Sequence, residues 1–296
     1  MRKRVIALGF FDGVHLGHAA LLQKTRARAD ELGLTAAAMS FDTHPDTLVL
    51  GCDVPLINTA QERERLMQTL FGIDEVILAH FDEVMMHMPW RDFITDYLIG
   101  ELHACHVVCG HDFRFGDRGA GTPELLRQAC AELQVGCDVI EKVELDGETV
   151  SSTYIRRLLL NGEAERAARF LGRRHFVSGV VAHGAHNGSK IGFPTANLPF
   201  AAGVLVPKRG VYLAEAEFDG RRYPALVNIG VHPTAGALEA PVLEAWLKGF
   251  DGDLYGKEIS VELAKFTRPE RPFSSMQALR EQLERDKKEL EEYSKQ

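Results

Sequence analysis

Val5-Ile6-Ala7-Leu8-Gly9-Phe10-Phe11-Asp12-Gly13-Val14-His15-Leu16-Gly17-His18-Ala19-Ala20-Leu21-Leu22 is the stretch whose reading decides the fold. An apolar run ends at a glycine, a polar turn follows, and a helical pattern begins. That order predicts a buried strand feeding a helix. The start of such a helix carries free N–H groups and the positive end of the dipole, so it attracts phosphate. Gly13 and Gly17 let a nucleotide approach the backbone closely. His15 and His18 are three residues apart and share a helix face. Two imidazoles aimed at one phosphate cluster suit charge stabilisation in phosphoryl or nucleotidyl transfer. A single helical histidine is more often filler, but two of them directly after a strand favour the functional reading.

Strand-like and helical runs alternate from there to about residue 143. A helix over 16–32 closes at Gly33, and Leu34 to Phe41 is a second strand ending in Asp42-Thr43-His44-Pro45. Thr59-Ala60-Gln61-Glu62 is a capping box, predicting a helix to Phe71 that stops at Gly72. Val76–Ala79, Val107–Cys109 and Val139–Val143 read as further strands, with helices opened by Pro89 and by Thr122-Pro123. This is a parallel, doubly wound α/β pattern, in which ligands bind beyond the carboxyl ends of the strands. Val150-Ser151-Ser152-Thr153-Tyr154-Ile155-Arg156 then opens another helix, expected to run polar from 153 to 171. One cap needs one hydroxyl. Three hydroxyls and a guanidinium suit a triphosphate better.

Near residue 172 the period changes from 3.6 to 2. Val211 to Phe218 and Tyr223 to Ile229 flank Asp219-Gly220 as a hairpin, and Leu243 to Phe250 and Ile259 to Phe266 add strands around Asp251-Gly252. Helical periodicity returns at Ser274 to Leu290. The expectation is a small antiparallel β-barrel with one C-terminal helix, and a boundary that gives domains 1–172 and 173–296. In the glycine-rich loop Gly184-Ala185-His186-Asn187-Gly188-Ser189-Lys190, backbone N–H groups can form a phosphate nest. Thr195 and Asn197 beyond it supply oxygens for a hard cation such as Mg²⁺. On an alternating strand Glu244 shares a face with Trp246, a carboxylate beside a flat ring, although taken alone it reads as solvent-facing.

Several readings are set aside. His103, Cys105, His106, Cys109 and His111 run into a strand, where neighbours point to opposite faces, and no second C-x-x-C exists to close a tetrahedral zinc site. Asp251 to Lys257 nearly fits a calcium loop, but strands flank it and Tyr255 falls where an oxygen ligand is needed, so a hairpin turn is the better reading. The dinucleotide glycine fingerprint does not follow the first strand. Five cysteines at irregular spacing fit reduced thiols. A net charge of −8 argues against nucleic acid as the main partner, while a locally positive site still admits anions. No apolar run is long enough to span a bilayer, so no membrane partner is expected. No signal peptide follows the basic Met1-Arg2-Lys3-Arg4, so the cytoplasm is the expected location.

Taken in order, these residues resemble the bacterial bifunctional riboflavin kinase/FAD synthetase family over nearly the whole chain. The resemblance rests on Gly9 to His18, Phe41 to Pro45, Gly110 to Gly116 and Ser151 to Arg156 in the first half. In the second half it rests on Gly192 to Asn197, Asn228-Ile229-Gly230, Leu254-Tyr255-Gly256 and Arg268-Pro269-Glu270. It implies two reactions. Riboflavin and ATP give FMN and ADP in the C-terminal half, with Glu244 as base and Thr195 and Asn197 as ligands of the Mg²⁺ (or another divalent cation) that accompanies ATP. FMN and a second ATP give FAD and pyrophosphate in the N-terminal half, with His15, His18 and Arg156 balancing charge. By the same resemblance Gly9, Phe11, Asp12, Gly13, Gly17, Ser151, Ser152, Thr153, Gly184, Gly188 and Lys190 line ATP phosphates, and Asp112 and Phe113 lie by the flavin or nucleotide. The partners implied are ATP, riboflavin, FMN and FAD, and the oligomeric state stays open. Asn187, Ser189 and Ala235 depart from the family's usual residues, which points to altered affinity. Two rival readings are an adenylyltransferase with a merely flavin-binding barrel, and a non-catalytic flavin sensor. Pro194-Thr195-Ala196-Asn197 argues against the first, and the full set His15, His18, Arg156 and Glu244 argues against the second.

Overall fold

The Val5–Leu8 run is the middle of a five-stranded sheet. β1 (Arg4–Leu8) pairs in parallel with β2 (Thr35–Phe41) on one side, β3 (Glu75–Ala79) lies outside β2, and β4 (Ala104–Gly110) pairs directly with β1 on the other side. β5 (Gly136–Ile140) completes the parallel order β3-β2-β1-β4-β5. Val5 to Leu8 are all buried, because crossover helices cover both faces of a parallel sheet. The computed structural model describes residues 2–51, 53–183, 193–233 and 239–295. It divides into two compact units, Met1–Tyr154 and Ile155–Gln296.

The helices of the first unit follow their local signals. α1 (Leu16–Leu32) ends at Gly33 with φ 65°. α2 (Pro45–Leu50) is a short helix begun by proline. α3 (Ala60–Phe71) carries the complete Thr59–Glu62 capping box and stops at Gly72. Downstream the helices depart from expectation. After α4 (Glu83–Met86), the helix opened by Pro89 is one turn, α5 (Trp90–Asp92), which widens into π-helix over Phe93–Glu101. α6 (Pro123–Glu132) follows its Thr122 cap. β5 begins at Gly136, three residues before the predicted strand, because pairing with β4 sets the register there. β6 (Glu144–Leu145) and β7 (Glu148–Thr149) form a small hairpin.

The helical stretch expected over 153–171 is two helices, α7 (Ser152–Asn161) and α8 (Ala164–Leu171). Gly162, at φ 81°, breaks it, and Lys208 N–H donates to the Leu159 carbonyl at 3.0 Å. The stretch is also amphipathic rather than polar: Ile155, Leu158, Leu159, Ala167, Phe170 and Leu171 are buried.

The second unit is an antiparallel six-stranded sheet. Its strands are β8 (His175–Val180), β9 (Ala196–Pro199), β10 (Gly210–Phe218), β11 (Arg221–Pro233), β12 (Glu239–Leu247) and β13 (Glu258–Arg268), in the order β8-β13-β10-β11-β12-β9. A bridge between Ala182 and Asn197 brings the two edges together, so the sheet is a nearly closed barrel. Ala225, Val227, Ile229, Leu243, Ala245, Val261 and Leu263 fill its interior. α9 (Met276–Tyr293), capped by Ser275, lays Leu290 against Leu213 and Leu226 on the outer face. A two-pronged ion pair from Arg268 to Asp286, 2.7 Å at its shortest, pins it to β13. Residues 251–257 are not a hairpin turn, since β12 and β13 are not neighbours; they carry the chain from one side of the sheet to the other. β9 went unread in the sequence because four residues beside a glycine-rich loop show too little alternation.

His175 on β8 is a buried imidazole whose Nε2 has no hydrogen-bond partner among the described residues. Burial, with Arg173 nearby, pushes its pKa down to about 3. The unfolded chain takes up that proton near pH 6.5 and the folded chain only near 3, so stability falls as pH drops through that window. His175→Gln removes the proton-binding group. Urea unfolding at about pH 7 and about pH 5 is expected to show a smaller loss of stability in the variant than in the parent. An equal loss in both would refute the assignment.

Candidate functional site

The turn between β1 and α1 holds three residues with positive φ: Phe11 (59°), Gly13 (78°) and Val14 (41°). For a β-branched residue this is strained, at about 1–3 kcal/mol per position, and such strain persists only where surroundings over-determine it. The surroundings are specific. Buried Asp12 accepts hydrogen bonds from Ile57 N–H at 2.9 Å and Asn58 N–H at 3.3 Å. Its own carbonyl accepts the Ser152 hydroxyl at 2.9 Å. Phe11 is fully buried, and a Cβ on Gly9 would stand only 3.1 Å from its ring.

His15 is the N-cap of α1. Its Nδ1 accepts from the His18 backbone N–H at 3.2 Å. A backbone amide can only donate, so Nδ1 carries the lone pair and the neutral ring bears its proton on Nε2. The His15 and His18 rings stack at 3.6 Å and 13°, with Phe11 edge-on to His18 at 5.2 Å. Gly17 makes room for the stack, since a Cβ there would stand 3.1 Å from the His15 ring. His44, at the carboxyl end of β2, repeats the device: it caps α2, and its Nδ1 accepts from Asp46 N–H at 3.2 Å. Phe10 lies edge-on to it at 4.5 Å.

The three hydroxyls that open α7 have separate placements. Ser151 Oγ accepts from Tyr154 N–H at 3.3 Å as the cap, Ser152 ties the helix to Asp12, and Thr153 is exposed. Arg156 lies one turn beyond Ser152 along the helix and is half-buried. Asp112 follows β4 with its side chain 82 % exposed, while Phe113 stacks on Phe115 at 5.5 Å.

In the second unit the register makes a row. Glu244 on β12 stands directly opposite Asn197 on β9 and opposite Asn228 on β11. Facing residues across neighbouring strands share one side of a sheet, and here it is the outer side, because Ala245 and Leu243 point into the core. Asn228 donates to Glu270 at 2.9 Å, and Trp246, two residues along from Glu244, meets Phe193 at 5.3 Å. Asn197 Nδ2 reaches the Thr195 carbonyl at 3.4 Å, which leaves its amide oxygen as the acceptor end. Oxygen donors of Thr195, Asn197 and Glu244 are the kind a hard divalent cation takes. Gly184, Gly188 and Lys190 lie outside the described residues, as do Asn187, Ser189 and Ala235.

Two sequence families meet in this chain. The model of the FAD synthetase family matches residues 1–154, and that of the riboflavin kinase family matches residues 171–294. The bifunctional riboflavin kinase/FMN adenylyltransferase of Bacillus subtilis (strain 168) is 38% identical, over 98% of this chain and 92% of its own length. The chain belongs to the bifunctional riboflavin kinase/FMN adenylyltransferase family. Another member, from Escherichia coli (strain K12), is 33% identical over 98% of this chain and 92% of its own. A crystal structure described as a macrolide-efflux protein from Streptococcus pneumoniae superposes with a TM-score of 0.87 at 28% identity, covering 97% of this chain and 93% of that one. None of the described helices here is long and apolar enough to cross a membrane.

Sequence reading missed Arg63 altogether, and named Asn228 and Glu270 only within motifs, not as site residues. Arg63 had a signal, since it sits on the same stripe of α3 as buried Leu66 and Met67. Asn228 and Glu270 stood in motifs that carry the resemblance, but their meeting with each other and the place of Asn228 opposite Glu244 had no signal, because these partners are not adjacent in the chain. The histidines and cysteines set aside as zinc ligands are spoken for differently. His106 pairs with Asp138 at 2.9 Å, and Cys109 is buried with its thiol pKa pushed up to about 12 by burial.

The arrangement assigns Asp12 first to holding the strained turn. Asp12→Asn would point an NH₂ at backbone donors, and is expected to cost about 1–3 kcal/mol of stability by chemical denaturation. An unchanged unfolding midpoint would mean the carboxylate is not needed for the turn.

Proposed function

We propose that the two clusters are the two catalytic sites of a bifunctional transferase. The C-terminal unit phosphorylates riboflavin with ATP to give FMN and ADP, and the N-terminal unit joins FMN to a second ATP to give FAD and pyrophosphate. The observation that carries this reading is the FAD synthetase match over residues 1–154 together with the riboflavin kinase match over residues 171–294 in one chain.

In the kinase half, Glu244 takes the proton of the ribityl 5′-hydroxyl as that oxygen attacks the γ-phosphorus of ATP. The cross-strand row with Asn197 and Asn228 supports a fixed carboxylate, and Trp246, tilted against Phe193, sets an aromatic ring two residues along the same strand face. Thr195 and Asn197 would hold Mg²⁺ or another divalent cation, which supplies charge neutralisation to the nucleotide phosphates. Gly184, Gly188 and Lys190 complete the phosphate loop by resemblance alone.

In the adenylyltransferase half, an FMN phosphate oxygen forms a bond to the α-phosphorus while the bond to the pyrophosphate oxygen breaks. The nucleophile is already an anion, so no base is required. His15 donates from Nε2, the tautomer its cap imposes, and His18 adds a donor; positive charge from Arg156 is assigned by resemblance alone. Gly9, Phe11, Gly13, Gly17 and the start of α7 at Ser151, Ser152 and Thr153 form the backbone cradle, and Asp112 and Phe113 lie toward the flavin or base. ATP as co-substrate and the free thiols of Cys105, Cys109, Cys130 and Cys137 support a cytoplasmic location, and the acidic charge supports small anions rather than nucleic acid as ligands.

The test is chromatography of flavins after incubation with riboflavin, ATP and Mg²⁺. Wild type is expected to give FMN and then FAD. Glu244→Ala is expected to lose FMN formation by at least about 100-fold while supplied FMN still becomes FAD. Loss of both conversions in a folded variant would contradict two independent sites.

A further inference from the structure

Arg63 on α3 is among the largest fully buried side chains of the molecule. Its guanidinium donates to the carbonyl of Phe10, to Ser40 Oγ at 2.7 Å and to the carbonyl of Phe41 at 2.9 Å. It stacks 4.2 Å from the Phe10 ring centre. Every one of these acceptors is neutral. Among the described residues no carboxylate lies within 4 Å of it, and its Nε has no partner. Asp12 and Asp42 act on it only at longer range; Asp12 is occupied by Ile57 and Asn58 N–H, and Asp42 by His80 at 2.7 Å. Burial pulls the guanidinium pKa below its usual value.

A buried charge without an ion-pair partner is unfavourable, and a neutral side chain of similar size would fill the space at less cost. The position suggests what offsets that cost. One carbonyl it grips, that of Phe10, lies in the turn two residues beyond the end of β1, and the other, that of Phe41, ends β2, both at the carboxyl edge where a parallel sheet binds its ligand. The Phe10–Phe11 peptide is trans, so turning its carbonyl toward Arg63 turns the Phe11 N–H the opposite way. That N–H makes no hydrogen bond among the described residues, and Phe11 holds the strained φ of 59°.

We propose that Arg63 is a positioning residue for adenylyl transfer: from within the core it holds the Phe10 carbonyl inward, presents the Phe11 N–H to a substrate phosphate, and sets a fixed positive charge beneath that phosphate. The proposal rests on the reading of the N-terminal unit as the FMN adenylyltransferase. The phosphate adds to the longer-range counter-charge of Asp12 and Asp42.

Three variants separate charge from packing. Arg63→Lys keeps the charge on a single donor nitrogen, Arg63→Gln keeps an NH₂ donor without charge, and Arg63→Met keeps only volume. For FMN adenylylation, Met and Gln are expected to lose about 100-fold, mainly in kcat, and Lys about 10-fold or less. Riboflavin phosphorylation by the same preparations stays within about twofold, since that site is in the other unit. Equal activity of folded Met and wild type would overturn the proposal, and so would equal losses in Lys and Met, which mark packing alone. Should Met and Gln fail to fold, the wild-type amide spectrum decides. Titration with α,β-methylene-ATP and Mg²⁺ is expected to move the Phe11 amide proton downfield, and an unmoved resonance at saturation would overturn the proposal. Wild type without any FMN adenylylation would instead sink the reading on which the proposal rests.

Discussion

One backbone amide governs the chemistry open to the first unit. The His18 N–H donates to His15 Nδ1, and that single bond caps α1, stacks the two rings and leaves the His15 proton on Nε2. As a cap it is worth about 1 kcal/mol. As a constraint on the tautomer it does more, because it converts a group that could donate or accept into one that donates away from its own helix. The strained turn before it exists to deliver His15 to that place. Asp12 holds the turn from the side of residues 57–58, Ser152 holds it from α7, and Arg63 holds its first peptide from beneath.

The barrel solves a different problem by register. Its polar row lies on the outer face, where each member comes from a different strand: Asn197, Glu244 and Asn228 on β9, β12 and β11. Strands hold backbone positions better than loops do, and a carboxylate built on a central strand is placed by the whole ladder. The interior carries none of this chemistry. It is apolar from Val177 to Leu263, and its contribution is to keep the ladder in register.

On the proposed reading, the two units place phosphate-directed groups by unlike means. In the first, the dipole and free N–H groups of a helix start do much of the work, and the side chains are few. In the second, side-chain oxygens on adjacent strands face one another, and the backbone is committed to sheet hydrogen bonds. That difference suits the two reactions. Adenylyl transfer begins from an anion and needs charge balanced, whereas phosphorylation of a hydroxyl needs a proton removed as well.

By itself the sequence determined the elements whose causes are local. The Val5–Leu8 strand, the Thr59 capping box, the stop at Gly72 and the 219–220 hairpin each depend on residues a few positions apart, and each formed where its pattern lay. His15 and His18 were legible because their spacing and the helix start are local too. Only the tertiary structure decided the partners that distant chain segments bring together. It broke α7 from α8 at Gly162, paired the short strand β9 with β12, and put Glu244 between two asparagines. It also buried Arg63, whose place was set by carbonyls of the turn after β1 and of the end of β2. A hydrogen bond between residues far apart in the chain leaves no periodic trace, because it depends on how elements pack and not on what stands next to what.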